Sequence, residues 1–186
     1  MKIEGYQFSN GTVLIRPYQG EDAKSCFEAI LESMDELMPW MFWCNADITY
    51  PEIEGWVESR PQAWLDDISY EFAIVDSHQG TFIGNCGLVH VDLQNKMAEL
   101  GYWIRTSQTR KGYATQASKL AIKFAFEVLQ LNRIEIIIET KNTNSQRVAE
   151  KLGAKKEGIM RKRLLIHDTF RDAFLYSILA EDDLPT

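Results

Sequence analysis

The sequence predicts an α/β fold, in which a sheet of mixed, mostly antiparallel strands carries helices on both faces. Three observations lead to this prediction. Two segments, 22–34 and 114–128, repeat apolar residues at helical spacing. Three strand-like segments between residues 70 and 104 follow one another across short polar turns, which is typical of an antiparallel meander. The run 134–140 is apolar and β-branched, as in a strand buried on both faces. The predicted order of elements is βααβββαβαββ.

The N-terminal third supplies one strand and two helices. The strand is predicted at residues 12–16. The first helix opens at Glu21 and Asp22, and its buried face comprises Ala23, Cys26, Phe27, Ile30, Leu31 and Met34. The second helix is predicted at residues 52–65, with Ile53, Trp56, Val57 and Trp64 facing inward. A dense aromatic loop at residues 39–43 separates the two helices.

The remainder of the chain supplies the meander, two helices and three more strands. The meander is predicted to comprise strands at residues 70–75, 81–91 and 98–104. A polar loop then leads to a long helix that begins near Ala114. After the strand at 134–140, a short helix at 145–152 ends at Gly153, a residue type that commonly adopts the left-handed conformation after a helix. The last two strands are predicted at residues 159–166 and 173–179.

Composition and charge limit the class of protein. The 186 residues include 45% hydrophobic residues and carry a net charge of −7. This fits one domain, residues 1–186, that buries roughly 70% of its unfolded surface. The acidic charge disfavours nucleic acid as a direct partner and suits a cationic substrate.

The apolar segments and the cysteine spacing indicate where the protein is located and how its thiols behave. No apolar run approaches the ~18 residues of a membrane span, and the N-terminus lacks the apolar core of a signal peptide. We therefore expect a cytoplasmic protein with no membrane partner. The three scattered cysteines, Cys26, Cys44 and Cys86, have neither disulfide nor metal-ligand spacing, and packed free thiols are the expectation.

One loop has the features of a phosphate site. Residues 103–114 join a strand to a helix through polar residues and a single glycine. Such a loop can direct several backbone N–H groups to one point at a helix N-terminus, where the helix dipole also favours an anion. Gly112 lets the backbone approach a ligand, Ala114 begins the helix without bulk, and Arg110 and Lys111 add positive charge. A pyrophosphate suits this loop, whereas the dinucleotide and P-loop patterns are both absent. An ordinary strand-to-helix turn is the alternative.

Two motifs in order resemble those of a known family. The residues Glu99-Leu100-Gly101-Tyr102-Trp103-Ile104, followed by the segment 109–117, resemble the acetyl-CoA signature of the GNAT acetyltransferases. The segment 142–153 resembles the pattern N-x-x-S-x-x-V-x-x-K-L-G of the ribosomal-protein N-terminal acetyltransferases, the RimJ/RimL branch. The resemblance extends over nearly the whole chain. Thr109 and Arg110 depart from the general loop, which has Gln or Arg and then a small residue at these places.

The resemblance implies a GNAT fold and acetyl-CoA as co-substrate, without a metal. In that family two central strands splay apart and the pantetheine arm lies between them. Here the arm would pair with the backbone of Ile104, Arg105 and Thr106, and an N–H near Ile104 would stabilise the charge on the acetyl oxygen. The pyrophosphate loop would comprise Thr109, Arg110, Lys111, Gly112, Tyr113 and Ala114. Asn142 would bond to the pantetheine arm, or else serve only the turn.

The resemblance also suggests catalytic and acceptor residues. Ser145 would donate a proton or hydrogen bond to the departing thiolate; capping of the helix by Asn144 or Ser145 is the alternative. Glu99 is the first candidate for the base, against a surface acid at a strand end. Weaker candidates for the base are Glu71, His90 and His167. Trp40 and Phe42 would form part of the acceptor wall, against the end of a core helix.

The sequence leaves three functions open. The first is acetylation of the N-terminal α-amine of a protein, with a ribosomal protein as partner. The second is acetylation of a small amine such as a polyamine, an aminoglycoside or an amino acid. The third is a non-catalytic module that binds acyl-CoA.

Overall fold

The computed structural model describes residues 5–183 and contains one eight-stranded sheet. The strands are β1 (Phe8–Ser9), β2 (Val13–Pro17), β3 (Tyr70–Asp76), β4 (Phe82–Asp92), β5 (Met97–Ile104), β6 (Arg133–Glu139), β7 (Lys155–Ile166) and β8 (Thr169–Leu179). Their order in the sheet is β1-β2-β3-β4-β5-β6-β8-β7. Neighbouring strands are antiparallel except β5 and β6, which are parallel. The predicted mixed, mostly antiparallel sheet is confirmed.

Five α-helices accompany the sheet in the described part of the chain. They are α1 (Asp22–Glu32), α2 (Met34–Leu37), α3 (Tyr50–Leu65), α4 (Tyr113–Lys123) and α5 (Thr143–Lys151). A π-helical turn, Phe124–Val128, continues α4. Two short elements, β1 and α2, were not predicted, because two and four residues are too few to show a period. The last two strands, β7 and β8, also begin earlier than predicted. The first residues of each strand are mostly exposed and show no alternation of apolar and polar residues.

The sheet separates two apolar cores. On one face, α4 and α5 pack over the inward residues of β2 to β6. On the other face, α1 and the N-terminal half of α3 cover a smaller core around Ala73, Val75 and Trp103. Helices on both faces are therefore confirmed. Leu31, predicted to face inward, is instead 48% exposed. Leu31 directly follows Ile30, and the rotation of the helix between successive residues directs its side chain away from the buried face that contains Cys26 and Ile30.

The two central strands diverge. Pairing between β5 and β6 is confined to Met97, Ala98 and Glu99 on β5. Both strands continue beyond this point, β5 to Ile104 and β6 to Glu139. A wedge-shaped cleft therefore opens in the middle of the sheet, as the resemblance implied.

The cysteines are free and buried, as predicted. Burial raises the pKa of Cys26 to about 12, so this thiol is inert at neutral pH. Within residues 5–183, no helix is long and apolar enough to cross a membrane.

Candidate active site

The cleft presents an unpaired backbone donor. The N–H of Arg105 donates to the carbonyl of Ile83 on β4 at 2.8 Å. In an antiparallel pair, consecutive residues direct their N–H groups to opposite sides of the strand. The N–H of Ile104 is therefore directed away from β4 and into the cleft, where β6 has already diverged.

The segment that follows β5 is bound to the end of α1. Glu32 accepts a hydrogen bond from Arg105 Nε at 2.9 Å and one from the Ser107 N–H at 2.7 Å. The second guanidinium nitrogen of Arg105 also contacts this carboxylate. The hydrogen bond from Arg105 is the largest cause that lowers the pKa of Glu32, to about 2.

Because of this attachment, fewer backbone N–H groups are free to bind a cofactor. The N–H of Thr106 donates to Ser33 Oγ at 2.9 Å, and that of Arg105 is bound to β4. Of the three residues expected to pair with pantetheine, only Ile104 keeps an N–H that points into the cleft. The N–H of Thr109 also has a protein acceptor, the carbonyl of Thr106 at 3.2 Å.

The N-terminus of α4 presents a group of backbone donors without acceptors. Within the described chain, the backbone N–H groups of residues 110–115 have no acceptor. Gly112 is the N-cap with φ 81°, a left-handed conformation that favours glycine. Arg110 has no ion-pair partner among residues 5–183, whereas Lys111 Nζ donates to Gln108 Oε1 at 2.8 Å. Tyr113 and Ala114 begin the helix and bring their free N–H groups to this site.

The other side of the cleft is the N-terminus of α5. Asn142 is its N-cap, and its side-chain oxygen accepts the Ser145 N–H at 3.1 Å. The cap is thus neither Asn144 nor Ser145, and the Ser145 hydroxyl is left for another role. That hydroxyl lies 3.4 Å from the hydroxyl of Tyr102, which donates to the Ser145 carbonyl at 3.1 Å.

Tyr102 received no role in the sequence analysis, although it belongs to the first motif. Burial is the largest cause that raises its pKa, to about 12. The side chain connects β5 to α5 across the cleft and fixes the position of Ser145. The only sequence signal was the place of Tyr102 on the splayed strand; its contact with Ser145 spans 43 residues and required the fold.

A cavity of about 590 Å³ lies on the face of the sheet that α1 and α3 cover. Its aromatic lining includes Phe42, Trp43, Trp56 and Trp103, and its polar lining includes Glu71, Asn85, His90 and Glu99. Phe42, predicted to belong to the acceptor wall, is 73% exposed at the cavity rim. Trp40, predicted for the same wall, is not part of the lining, whereas its neighbours Met41 and Trp43 are.

Two candidates for the base form a pair in this cavity. His90 Nδ1 and Glu99 Oε2 are 3.1 Å apart, and Arg163 lies 3.9 Å from the same carboxylate oxygen. His90 has φ 50° at an irregularity in the pairing of β4 with β5. Strand alternation could not place its side chain, because this irregularity interrupts the alternation.

His167 is separate from this pair. It occupies a tight turn with Asp168, where both residues have positive φ, and its Nε2–H donates to the Met38 carbonyl at 3.0 Å. It does not line the cavity. Among residues 5–183, no group of three or more His, Cys, Asp and Glu side chains is arranged to hold a metal ion.

A splayed sheet with free N–H groups at a helix N-terminus on one face and a cavity on the other is the arrangement expected of an acyl-CoA-dependent N-acyltransferase. Comparison with known proteins agrees with this class. A family model described as "Acetyltransferase (GNAT) domain" matches residues 12–155. The chain belongs to the GNAT family of acetyltransferases.

Three relatives illustrate the similarity. The chain is 33% identical to a putative ribosomal N-acetyltransferase, YdaF, of Bacillus subtilis over 93% of this chain and 94% of that protein. It is 29% identical to the spermidine N(1)-acetyltransferase of Escherichia coli over 70% of this chain and 77% of that one. The structure of RimL, a ribosomal L7/L12 α-N-protein acetyltransferase in complex with coenzyme A, has the same fold with a TM-score of 0.84 at 19% identity, covering 92% and 95% of the two chains.

Proposed function

We propose that this protein transfers the acetyl group of acetyl-CoA directly to the N-terminal α-amine of a protein acceptor, with ribosomal proteins as the first acceptors to test. The observation that carries this proposal is the cleft between β5 and β6. The cleft connects the free N–H groups of residues 110–115, at the N-terminus of α4, with the cavity on the opposite face of the sheet. A ribosomal acceptor would also require a cytoplasmic enzyme.

Acetyl-CoA binding would depend mainly on the backbone. The N–H groups of residues 110–115 bind the pyrophosphate at the positive end of the α4 dipole, and Arg110 adds a charge-assisted contact. The pantetheine arm lies along the free edge of β5. The Ile104 N–H then binds the acetyl oxygen, where one such preorganised donor lowers a barrier by about 2.7–4 kcal/mol.

The leaving thiolate would be stabilised by Ser145. Its hydroxyl is held by Tyr102 at the N-terminus of α5, where the helix dipole also favours negative charge. A thiol has a pKa of about 8.5, far below the pKa of about 12 to which burial raises Tyr102. The hydroxyl groups therefore give the thiolate a hydrogen bond rather than a complete proton, and solvent supplies the proton later.

The attacking amine must be neutral. An α-amine has a pKa of about 7.7–8.0, so a substantial fraction is already deprotonated near neutral pH. Glu99, paired with His90, would remove the remaining proton through a relay of water molecules, because five residues of strand, about 16 Å, separate Glu99 from Ile104. A weak base is sufficient to deprotonate an α-amine, whereas a lysine amine with a pKa of about 10.4 requires a much stronger base.

A small cationic amine is the second candidate acceptor. The specific observation in its favour is that three carboxylates, Glu52, Glu71 and Glu99, line one cavity. The similarity to a spermidine acetyltransferase points in the same direction.

The deciding experiment measures acetyl-CoA turnover on matched peptides and on spermidine. The peptides begin with Ser or Ala and carry either a free or a blocked N-terminus. We expect the free peptides to be acetylated fastest, with mass spectrometry locating the acetyl group on the α-amine. Equal rates on free and blocked peptides, or a much higher kcat/KM for spermidine, would contradict the N-terminal acceptor.

A further inference from the structure

The deep end of the acceptor cavity contains a buried carboxylate and amide that no step of acetyl transfer uses. Glu71 and Asn85 are each only 8% exposed, and both line the cavity. Asn85 Nδ2 donates to Glu71 Oε2 at 2.9 Å. The other end of this amide, Asn85 Oδ1, is buried and has no hydrogen-bond partner among the described residues.

The register of the sheet forms the space around this pair. Glu71 on β3 is opposite Gly87 on β4, and Gly87 is opposite Gly101 on β5. A Cβ at Gly87 would lie 2.4 Å from Glu71 Oε2, so the carboxylate occupies the space that a side chain at Gly87 would fill. Gly101 is equally without a side chain and lines the cavity. The two glycines therefore open a route from Glu71 toward β5.

The carboxylate lacks a cation. Within residues 5–183, no lysine or arginine forms an ion pair with Glu71. Burial raises its pKa, and the Asn85 hydrogen bond and the charge of Arg60 only partly oppose this. Arg60 itself is held elsewhere, with Nε donating to the Trp56 carbonyl at 3.1 Å and the guanidinium over the Trp56 ring.

We propose that Glu71 and Asn85 bind a second positively charged group of the amine acceptor, so that the enzyme selects acceptors with two cationic centres. This inference rests on the proposed acetyl transfer. An ammonium or guanidinium group donates several hydrogen bonds, enough to satisfy both the carboxylate and the orphaned Asn85 Oδ1. Buried polar groups without partners are costly, so the site gains most from such a ligand.

The distance between the two ends of the site fits a linked pair of charges. The carboxylate lies over Gly87, about one strand spacing of 4.8 Å from Gly101. Ile104 is three residues further along β5, which is about 10 Å of strand. The aromatic rings of Trp56 and Trp103 line the same cavity and would cover an aliphatic linker. A basic side chain next to a peptide N-terminus, or the second amine of a polyamine, would span this distance.

The test compares acceptors that differ only in the second charge. One pair is cadaverine against pentylamine. The other is a peptide with a free N-terminal Ser and arginine at its second position against the same peptide with citrulline, whose side chain is isosteric and neutral. We expect wild-type kcat/KM to favour the dicationic member of at least one pair by about 10- to 100-fold, the usual effect of a buried hydrogen bond to a charged group. Which pair shows the preference identifies the source of the charge.

Variants then assign the preference to this pair of residues. Glu71→Gln should bring the ratio of kcat/KM values within each pair close to one, because it lowers kcat/KM for the dicationic acceptor far more than for the monocationic one. Glu28→Gln, which makes the same change in net charge at an exposed position of α1, should keep the preference. Asn85→Ala, which removes the orphaned oxygen and the donor to Glu71, should weaken the preference. Coenzyme A binding confirms that each variant is folded.

The outcomes separate two kinds of failure. Acetylation of no amine by the wild-type protein would overturn the proposed function itself. Acetylation with equal kcat/KM within both acceptor pairs would overturn the subsite alone, and this result needs no variant. A Glu71→Gln variant that loses equal activity on both members of a pair would also overturn it, because Glu71 would then act on the structure or on the transfer rather than on the second charge.

Discussion

The two sides of the proposed active site are built from different kinds of groups. On the cofactor side, the candidate ligands are backbone N–H groups of residues 110–115 and of Ile104. On the acceptor side, the cavity is lined by side chains that come from β3, β4, β5, α1, α3 and the aromatic loop. Backbone donors tolerate substitution as long as the conformation is kept, whereas a side-chain cavity changes with each residue. The cofactor side can therefore stay constant while the acceptor side diverges.

The largest expected effect would break the cofactor side. Gly112→Asp should abolish binding of coenzyme A, at least a 100-fold loss of affinity, because a carboxylate would be placed at the centre of the anion site. Calorimetry measures the affinity. Gly112→Asn is the matched control, since asparagine tolerates the left-handed conformation at φ 81° and adds no charge.

Gly112→Asn should therefore lose less affinity than Gly112→Asp, and the difference between the two variants measures the effect of the charge. A folded Gly112→Asp protein that binds coenzyme A as tightly as the wild type would show that the loop is not the pyrophosphate site.

The next effect concerns the residue at which the two sides meet. Ser145→Ala should lower kcat by about 100-fold, the scale on which loss of one preorganised hydrogen-bond donor to a developing negative charge acts, with little change in acetyl-CoA affinity. Stability should be nearly unchanged, because Asn142 and not Ser145 caps α5. Steady-state kinetics and thermal unfolding measure the two quantities.

Asn142→Ala is the matched variant. It should lower stability by about 1 kcal/mol, as expected for loss of a helix cap. If Ser145→Ala instead unfolds at lower temperature and keeps its kcat, the role of Ser145 is structural.

A smaller effect sharpens the acceptor side. Glu99→Gln should move the pH–rate profile to higher pH and lower kcat/KM near neutral pH by about 10-fold, because the amine must then lose its proton without help. The pH dependence of kcat/KM gives the result. Glu54→Gln is the control. Glu54 accepts a hydrogen bond from the Tyr50 hydroxyl and does not line the cavity, so this variant should leave the pH–rate profile unchanged. A Glu99→Gln profile with the wild-type shape and height would show that another group, or water alone, removes the proton.

The same division explains how much the sequence predicted. The strand, loop and helix around Gly112 are local, so a motif within a dozen residues predicted them. The occupied N–H groups of Arg105 and Thr106 were not predicted, because their acceptors are a paired strand and a side chain about 70 residues away. The pattern of residue types does not predict contacts between segments that are so far apart in the sequence.

The acceptor side was harder for a related reason. The pair of Glu71 and Asn85 requires the register of β3 with β4, which periodicity does not specify. His90 was not placed because a positive φ interrupts strand alternation. Trp40 was assigned to the acceptor wall with Phe42, yet of the two only Phe42 lines the cavity, because an irregular loop has no period from which the direction of a side chain can be predicted.

The smallest expected effect tests the connection between the two sides. Glu32 lies at the end of α1, on the acceptor face, and binds Arg105 and the Ser107 N–H of the cofactor loop. Its carboxylate has a pKa lowered to about 2, chiefly by Arg105. A folded-state pKa below the unfolded value contributes stability above the unfolded value, near pH 4.3 for a free glutamate. That contribution is lost as the pH falls from there toward 2.

Glu32→Gln should therefore reduce the free energy of unfolding by about 0.5–1 kcal/mol at pH 7, the scale of a partly exposed ion pair. The difference from wild type should shrink as the pH falls through 4 and should vanish only below about pH 2, where most of the wild-type carboxyl is protonated as well. Urea unfolding at a series of pH values measures both proteins, and Glu28→Gln on the exposed side of the same helix corrects for net charge. A difference between wild type and Glu32→Gln that is constant with pH would mean that the charge of Glu32 does not join the helix to the loop, and that packing and other hydrogen bonds, such as that of the Thr106 N–H to Ser33, hold the two sides together.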